Sequence, residues 1–457
     1  MEVQVKTENL IQEDLDHLVH PLHLAQDHQS AVIFVEGNNA IVKDSEGREY
    51  IDGLSSLWNV NIGHGRKELA EVAAEQMARL AYASAYTGST NVPAIRLAAK
   101  LVELSYPNMS GVYFTTGGAE SNESAFKTAR FYHKVKGKPD KVKIISRVHG
   151  YHGVTMAAMS ATGLAAYHKM FAPLVPNFIQ IPPPNAYRWP DPGVDAGLAA
   201  ANALEETIQR EGPDTVAAFI AEPVMGAGGV VVPPASYFPR VREICDKYDV
   251  LFIADEVITG FGRTGRWFAL GHWGVEPDVV SFAKGVTSAY LPLGGIILSR
   301  KVHEAIQSAP ADQRYMHAAT YSGHPTCCAV GLRNVEIMER ENVVDQAAEK
   351  GRRLVANMET LRGLPHVGDI RGLGMMVALE FVADKTTKEP LVGQANRVAI
   401  EARDRGLILR FRPGTAGEWP GAMGDTIYLA PPLTTPVDQL DRIIEIVRES
   451  IRAVFPE

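Results

Sequence analysis

The chain has 457 residues, 46% apolar and 21% charged, which allows two or three domains around a sizeable core and excludes wholesale disorder. The formal net charge is −8, from 45 basic and 53 acidic residues, which argues against a general nucleic-acid or anionic-membrane binder. The 3 cysteines, Cys245, Cys327 and Cys328, form no C-x-x-C pair, so neither a disulfide framework nor a thiolate zinc site is expected.

At the N-terminus, residues 1–21 hold no apolar signal region, and nowhere does an apolar run approach a bilayer span of roughly 20 residues. A soluble, reducing, cytoplasmic setting is the expectation. His17, His20 and His23 recur every third residue, but Pro21 interrupts any helix there, so no metal face is expected. Residues 30–53 read as a small meander turning at Ser45-Glu46-Gly47.

Short, continuous apolar runs follow, and continuous runs mark strands covered on both faces. Val112–Thr115 leads into Thr116-Gly117-Gly118-Ala119-Glu120-Ser121 and a helix over Ser121–Lys134. Lys134, Lys136, Lys138, Lys141 and Lys143 form a basic stretch that reads as a solvated turn. Lys143–Ser146 leads to Arg147-Val148-His149-Gly150-Tyr151-His152-Gly153, and a Pro/Gly-rich loop covers 182–193. Thr215–Ala221 runs into Glu222, Gly226, Gly228 and Gly229; a helix follows over Pro239–Tyr248. Val250–Ala254 ends in Asp255-Glu256, Val279–Ala283 ends in Lys284-Gly285, and Gly294–Ser299 is a further run. One long helical pattern spans Ala329–Glu349, and a helix-strand mixture with a second Pro/Gly-rich loop at 411–424 continues to Phe455.

This alternation predicts an α/β fold with a mostly parallel, doubly wound sheet. The large domain should occupy 60–325, with a smaller α+β domain built from 1–59 and 326–457. In such sheets ligands sit beyond the carboxyl ends of the strands, which is where these polar residues fall.

Taken singly, each candidate is ambiguous. Lys284 can be a solvated loop lysine or, if enclosed, a deprotonated amine able to form a Schiff base. Asp255 and Glu256 can be a magnesium pair, a helix cap, or a partner for a protonated pyridine nitrogen. The Thr116–Ser121 turn can hold a phosphate on free helix amides or be an unliganded turn. Tyr151 can stack on a planar cofactor, while His149 and His152 lack a third metal ligand nearby. Gly260-Phe261-Gly262-Arg263-Thr264-Gly265 fits a dinucleotide fingerprint, but it stands apart from its strand and no good crossover helix follows.

Together they are specific. Asp255 through Gly265, Pro277-Asp278 and Ala283-Lys284-Gly285 resemble the class III pyridoxal-phosphate aminotransferases. Thr116–Asn122, His149–Gly153, Glu222–Gly229 and Thr320-Tyr321-Ser322-Gly323-His324-Pro325 agree, in family order, and the omega-transaminases (amine or omega-amino acid–pyruvate aminotransferases) are the nearest type. The resemblance implies fold-type I and pyridoxal 5′-phosphate as cofactor. It implies that Lys284 holds the cofactor and moves the proton, and that Asp255 pairs with the pyridinium nitrogen. Tyr151 and Val257 would cover the ring faces, the Gly118 and Ala119 amides would bind the phosphate, and Glu222 would organise Asp255 or the substrate-side arginine. Many relatives have Ser where this chain has Ala119. Thr320 would reach the phosphate of a neighbouring subunit, implying a homodimer or a dimer of dimers. Leu22, Trp58, Tyr86 and Tyr151 would line the pocket, and Arg410 (or Arg412, in the loop that follows) would bind the acceptor carboxylate. The partners are then a small amine donor and a keto acid, with pyruvate expected and a pyridoxamine form between half-reactions. An aminomutase of the glutamate-semialdehyde type and, more remotely, an NAD-dependent oxidoreductase are the alternatives.

Overall fold

The computed structural model describes residues 7–28, 31–85 and 87–456. A helix over Thr7–His17 stops before Pro21, as the proline requires. An antiparallel meander follows: β1 (Phe34–Asn38), β2 (Ile41–Asp44) and β3 (Glu49–Asp52). Its second turn is clamped by the Asp44 carboxylate, which accepts from the Glu46 and Arg48 amides at 2.9 Å each.

Seven strands make the central sheet. They are β4 (Met109–Thr115), β5 (Lys143–Arg147), β6 (Phe178–Ile181), β7 (Val216–Ala221), β8 (Leu251–Asp255), β9 (Val279–Phe282) and β10 (Gly294–Ser299). The spatial order is β4-β10-β9-β8-β7-β5-β6. Strand β10 runs antiparallel to both its neighbours, and the other pairings are parallel. Every residue of β7, Val-Ala-Ala-Phe-Ile-Ala, is buried, because helices cover both faces of the sheet. Edge strand β6 was not legible: Phe-Ile-Gln-Ile is short, half-exposed and hemmed by prolines.

The remaining strands are β11 (Val367–Gly372), β12 (Val377–Asp384), β13 (Glu389–Pro390), β14 (Leu407–Ile408), β15 (Arg410–Arg412) and β16 (Thr426–Leu429). Four of them order as β11-β12-β16-β15, with β13 beside β12. Strand β14 instead pairs in parallel with β3, so early and late chain segments share one sheet.

Two expectations are corrected. The single helix over Ala329–Glu349 is two helices, Pro325–Arg340 and Val343–Glu359. Between them Asn342 takes a left-handed φ of 51°, a conformation asparagine tolerates and an ideal place to stop a helix. Nor is the basic stretch simply solvated. Lys141 is buried, its ammonium donating to the carbonyls of Tyr248, Asp249 and Val216 at 2.9, 3.0 and 3.2 Å. Lys143 is tied to Glu211 and Lys138 to Asp249.

Among the described residues no helix is long and apolar enough to cross a membrane, and no group of His, Cys, Asp and Glu could hold a metal ion. His20 pairs with Asp14, and His23 bonds the Pro21 carbonyl.

Candidate active site

The carboxyl ends of β4, β5, β7, β8 and β9 deliver the candidate residues to one place. Asp255 closes β8 and is buried. Its Oδ2 accepts from Asn122 Nδ2 at 2.8 Å and contacts His152 Nδ1 at 2.7 Å; its Oδ1 accepts from the Val257 amide at 3.2 Å. Glu256, one residue on, points elsewhere. It accepts from the Tyr106 hydroxyl at 2.6 Å and from the Thr259 hydroxyl, which satisfies it inside the core and removes the magnesium-pair reading.

Lys284 follows β9 with a left-handed φ of 47°, a strained conformation for a side chain of this kind. Its ammonium makes no hydrogen bond or ion pair among the described residues. Burial pulls its pKa down to about 8, while Asp255 and Glu222 act in the opposite direction.

The helix Gly118–Val135 opens immediately beyond β4. The first amides of a helix have no partner within it, so those of Gly118 and Ala119 are available to an anion. Glu120 reaches back to the Thr116 amide at 2.9 Å and fixes the turn. A side chain on Gly118 would meet Val257 Cγ1 at 2.8 Å, so Val257 lies directly against the cup. One on Gly117 would meet nothing within 4 Å. Gly153, at φ +124°, brings the Tyr151 turn against the same helix; a Cβ there would sit 2.6 Å from that of Ala119.

Tyr151 donates its amide to Glu222 Oε1 at 3.1 Å, and Glu222 Oε2 accepts from the Gly226 amide at 2.8 Å. Glu222 therefore braces the Tyr151 and Gly226 turns, while Asn122 and His152 orient Asp255. Burial raises the Glu222 pKa and pushes the Tyr151 phenol up to about 12. The Tyr151 ring packs on Tyr167, centroids 5.5 Å apart. Arg410 lies near enough to both phenols to oppose their upward shifts, and its guanidinium makes no hydrogen bond or ion pair among the described residues. Arg412, by contrast, is tied to His149 Nδ1 at 2.9 Å and to the Gly228 carbonyl at 3.2 Å.

The other candidates are more scattered. Trp58 is buried in a small cluster with Leu54, Val224, Ile258 and Tyr428, and Leu22 is 64% exposed. Thr320 is exposed, its carbonyl accepting from the Tyr82 hydroxyl. Tyr86 lies outside the described residues. The glycine fingerprint at Gly260–Gly265 is internal. Arg263 is wholly buried, and a Cβ on Gly265 would strike the Ala348 backbone at 2.7 Å, so those glycines serve packing and leave no room for a nicotinamide pyrophosphate.

Residues 24–451 match the family model Aminotransferase class-III. This chain belongs to the class III aminotransferases. It is an aminotransferase of fold-type I, and its cofactor is pyridoxal 5′-phosphate. It is similar to a thermostable (S)-enantioselective omega-transaminase from Thermomicrobium roseum, at 44% identity and TM-score 0.92 over 98% of this chain and 99% of that one. It is 40% identical to diaminobutyrate–2-oxoglutarate transaminase of Halomonas elongata, over 92% of this chain and 90% of that one. It is 37% identical to putrescine–pyruvate aminotransferase of Pseudomonas aeruginosa, over 93% and 91% of the two chains. The residues present suit the cofactor: an unpartnered lysine, a buried carboxylate oriented by Asn122, His152 and a backbone amide, and a helix start with space before it.

Sequence reasoning missed Tyr167, assigned no role to Asn122, and saw His152 only as a doubtful metal ligand. None carries a signal of its own. Asn122 follows the Gly118 helix start by one helical turn, and His152 meets Asp255, 103 residues away in sequence, only after folding.

Proposed function

We propose that this aminotransferase takes the amino group of an amine or omega-amino acid and delivers it to pyruvate. The observation that carries this reading is the contrast within β15: Arg410 is unengaged beside the Tyr151–Tyr167 pair, whereas Arg412 is anchored. A free guanidinium can form a bidentate pair with an acceptor carboxylate and turn away for a donor lacking one. The aromatic wall suits an apolar amine side chain. Pyruvate and 2-oxoglutarate both occur as acceptors among the relatives, and we favour pyruvate because a single free arginine serves one carboxylate.

In this reading Lys284 Nζ would hold the cofactor and, once the substrate amine has displaced it, the freed amine would serve as the base and then the acid that relays the proton from the substrate carbon. The cofactor, when bound, supplies an electron sink for the carbanionic character at that carbon. Asp255, oriented by Asn122, His152 and the Val257 amide, would pair with the ring nitrogen and favour its protonated state. Tyr151 and Val257 cover the two faces, and the Gly118 and Ala119 amides hold the phosphate. Thr320, exposed on one protomer, reaches the phosphate of another, so the working form is a homodimer or a dimer of dimers. Leu22, Trp58 and Tyr86 complete the pocket beside Tyr151. The enzyme works in the cytoplasm.

The test is a half-reaction panel. Loaded enzyme is mixed with single donors, and loss of the cofactor absorbance is followed. Aromatic amines, putrescine and beta-alanine should each be scored, then pyruvate added. Arg410→Ala should lose at least about tenfold more pyruvate turnover than plain-amine turnover, the scale of one lost charge-assisted bidentate pair. Equal losses would remove the switching role.

A further inference from the structure

We propose that Arg412 is a positioning residue: its guanidinium clamps the turn after β5 and the turn after β7 onto β15, and so holds Tyr151 in place relative to Arg410. The inference rests on the site reading given above.

Three contacts converge on this one side chain. Arg412 Nη2 lies 2.9 Å from His149 Nδ1, Nη1 lies 3.2 Å from the Gly228 carbonyl, and Nη1 also abuts Met423 Sδ. A guanidinium has donors only, so His149 Nδ1 must accept, and the imidazole must be neutral. Burial, reinforced by the Arg412 charge, holds the His149 pKa down to about 3, so that state persists through ordinary pH. His149 itself is buried with a left-handed φ of 66°. Its amide donates to the Gly163 carbonyl at 2.9 Å, Gly163 returns a bond to Gly150 at 2.7 Å, and Gly150 bonds Arg147 at 3.0 Å. Tyr151 follows Gly150 directly. The second turn touches the first without an intervening side chain, since a Cβ on Gly228 would lie 2.5 Å from the His149 carbonyl oxygen. From β11, Arg371 adds a bond to the Gly229 carbonyl at 2.7 Å.

Residues two apart in a strand share a face, so Arg410 and Arg412 project from the same side of β15. One is free and the other is fixed to the turn that carries the facing tyrosine. The spacing between the mobile arginine and Tyr151 is thereby set through a single side chain. Arg412 does not bind the acceptor carboxylate.

Hydrogen exchange of the cofactor-free protein tests this without turnover. Arg412→Met should speed exchange of the His149, Gly150 and Gly163 amides by about fivefold or more, as expected for the loss of a bond of roughly 1 kcal/mol. Arg412→Lys, which keeps the charge and one donor direction, should fall between, and Arg410→Ala should match wild type. In the loaded enzyme Arg412→Met should lower kcat for a plain amine and for pyruvate in similar proportion and alter the circular dichroism of the cofactor band. Unchanged exchange in Arg412→Met overturns the proposal, as does a rise in pyruvate KM alone. Should Arg412→Met not fold, wild-type exchange in Arg412→Lys overturns it equally. Wild-type enzyme that binds the cofactor but refuses pyruvate would sink the substrate reading and leave the exchange result standing.

Discussion

Lys284→Met in the cofactor-free protein isolates the energetic cost of the buried amine proposed as catalytic. Burial lowers the Lys284 pKa from 10.5 to about 8, with Asp255 and Glu222 only partly compensating. At about 1.4 kcal/mol per pH unit that fall corresponds to about 3 kcal/mol. Part of the side chain is open to the site, so solvent screening reduces the expected cost to about 1–3 kcal/mol. At pH 7 the folded and unfolded chains both hold the proton, and only the folded one keeps it in a poor environment. The methionine variant should therefore be more stable than wild type by that amount. Between pH 8 and 10.5 the unfolded chain retains a proton that the folded chain has released, so wild type gains stability as pH rises, and by pH 10 the gap should shrink to about a quarter. Urea unfolding of both cofactor-free proteins at pH 7 and pH 10 measures this. Equal midpoints at pH 7, or a gap that does not narrow, would refute the reasoning. The same low pKa leaves about a tenth of the chains with a neutral amine at pH 7, roughly 300 times the fraction for a solvated lysine.

Two further substitutions probe the cup and the far end of the sheet. Ala119→Ser should tighten cofactor binding by about 0.5–1.5 kcal/mol, measured as slower release of pyridoxal phosphate; a faster release would mean that the new hydroxyl is pressed against Gly153. Lys141→Met leaves three carbonyls without a donor near the amino-terminal ends of β5, β7 and β8, and should cost about 2–4 kcal/mol in urea unfolding with specific activity of the folded enzyme unchanged.

The central strands were legible because both faces are covered, and continuous apolar runs such as Val216–Ala221 have no other use in a chain of this composition. The residues that end those runs, Asp255, Lys284 and Glu222, were legible for the same reason: a charge beside a buried strand needs a purpose. What stayed hidden depends on distance in space. Asn122 and His152 reach Asp255 from 133 and 103 residues away. The distinction between Arg410 and Arg412 hangs on a contact 263 residues away, at His149. The break at Asn342 was hidden for a different reason, since apolar periodicity continues across it and only the backbone angle reveals the stop.

Arg263 ties together segments that lie far apart in the chain. Its guanidinium donates to Ser55, Asn61, Met375 and Pro431, segments that leave the ribosome at widely separated times. A nascent chain that has already laid down β8 and β9 still lacks two of these four acceptors. At that stage only the Ser55 and Asn61 partners are present. The hydrogen-bond set of that buried cation can be complete only once the segments carrying Met375 and Pro431, beside the small-sheet strands, have been made.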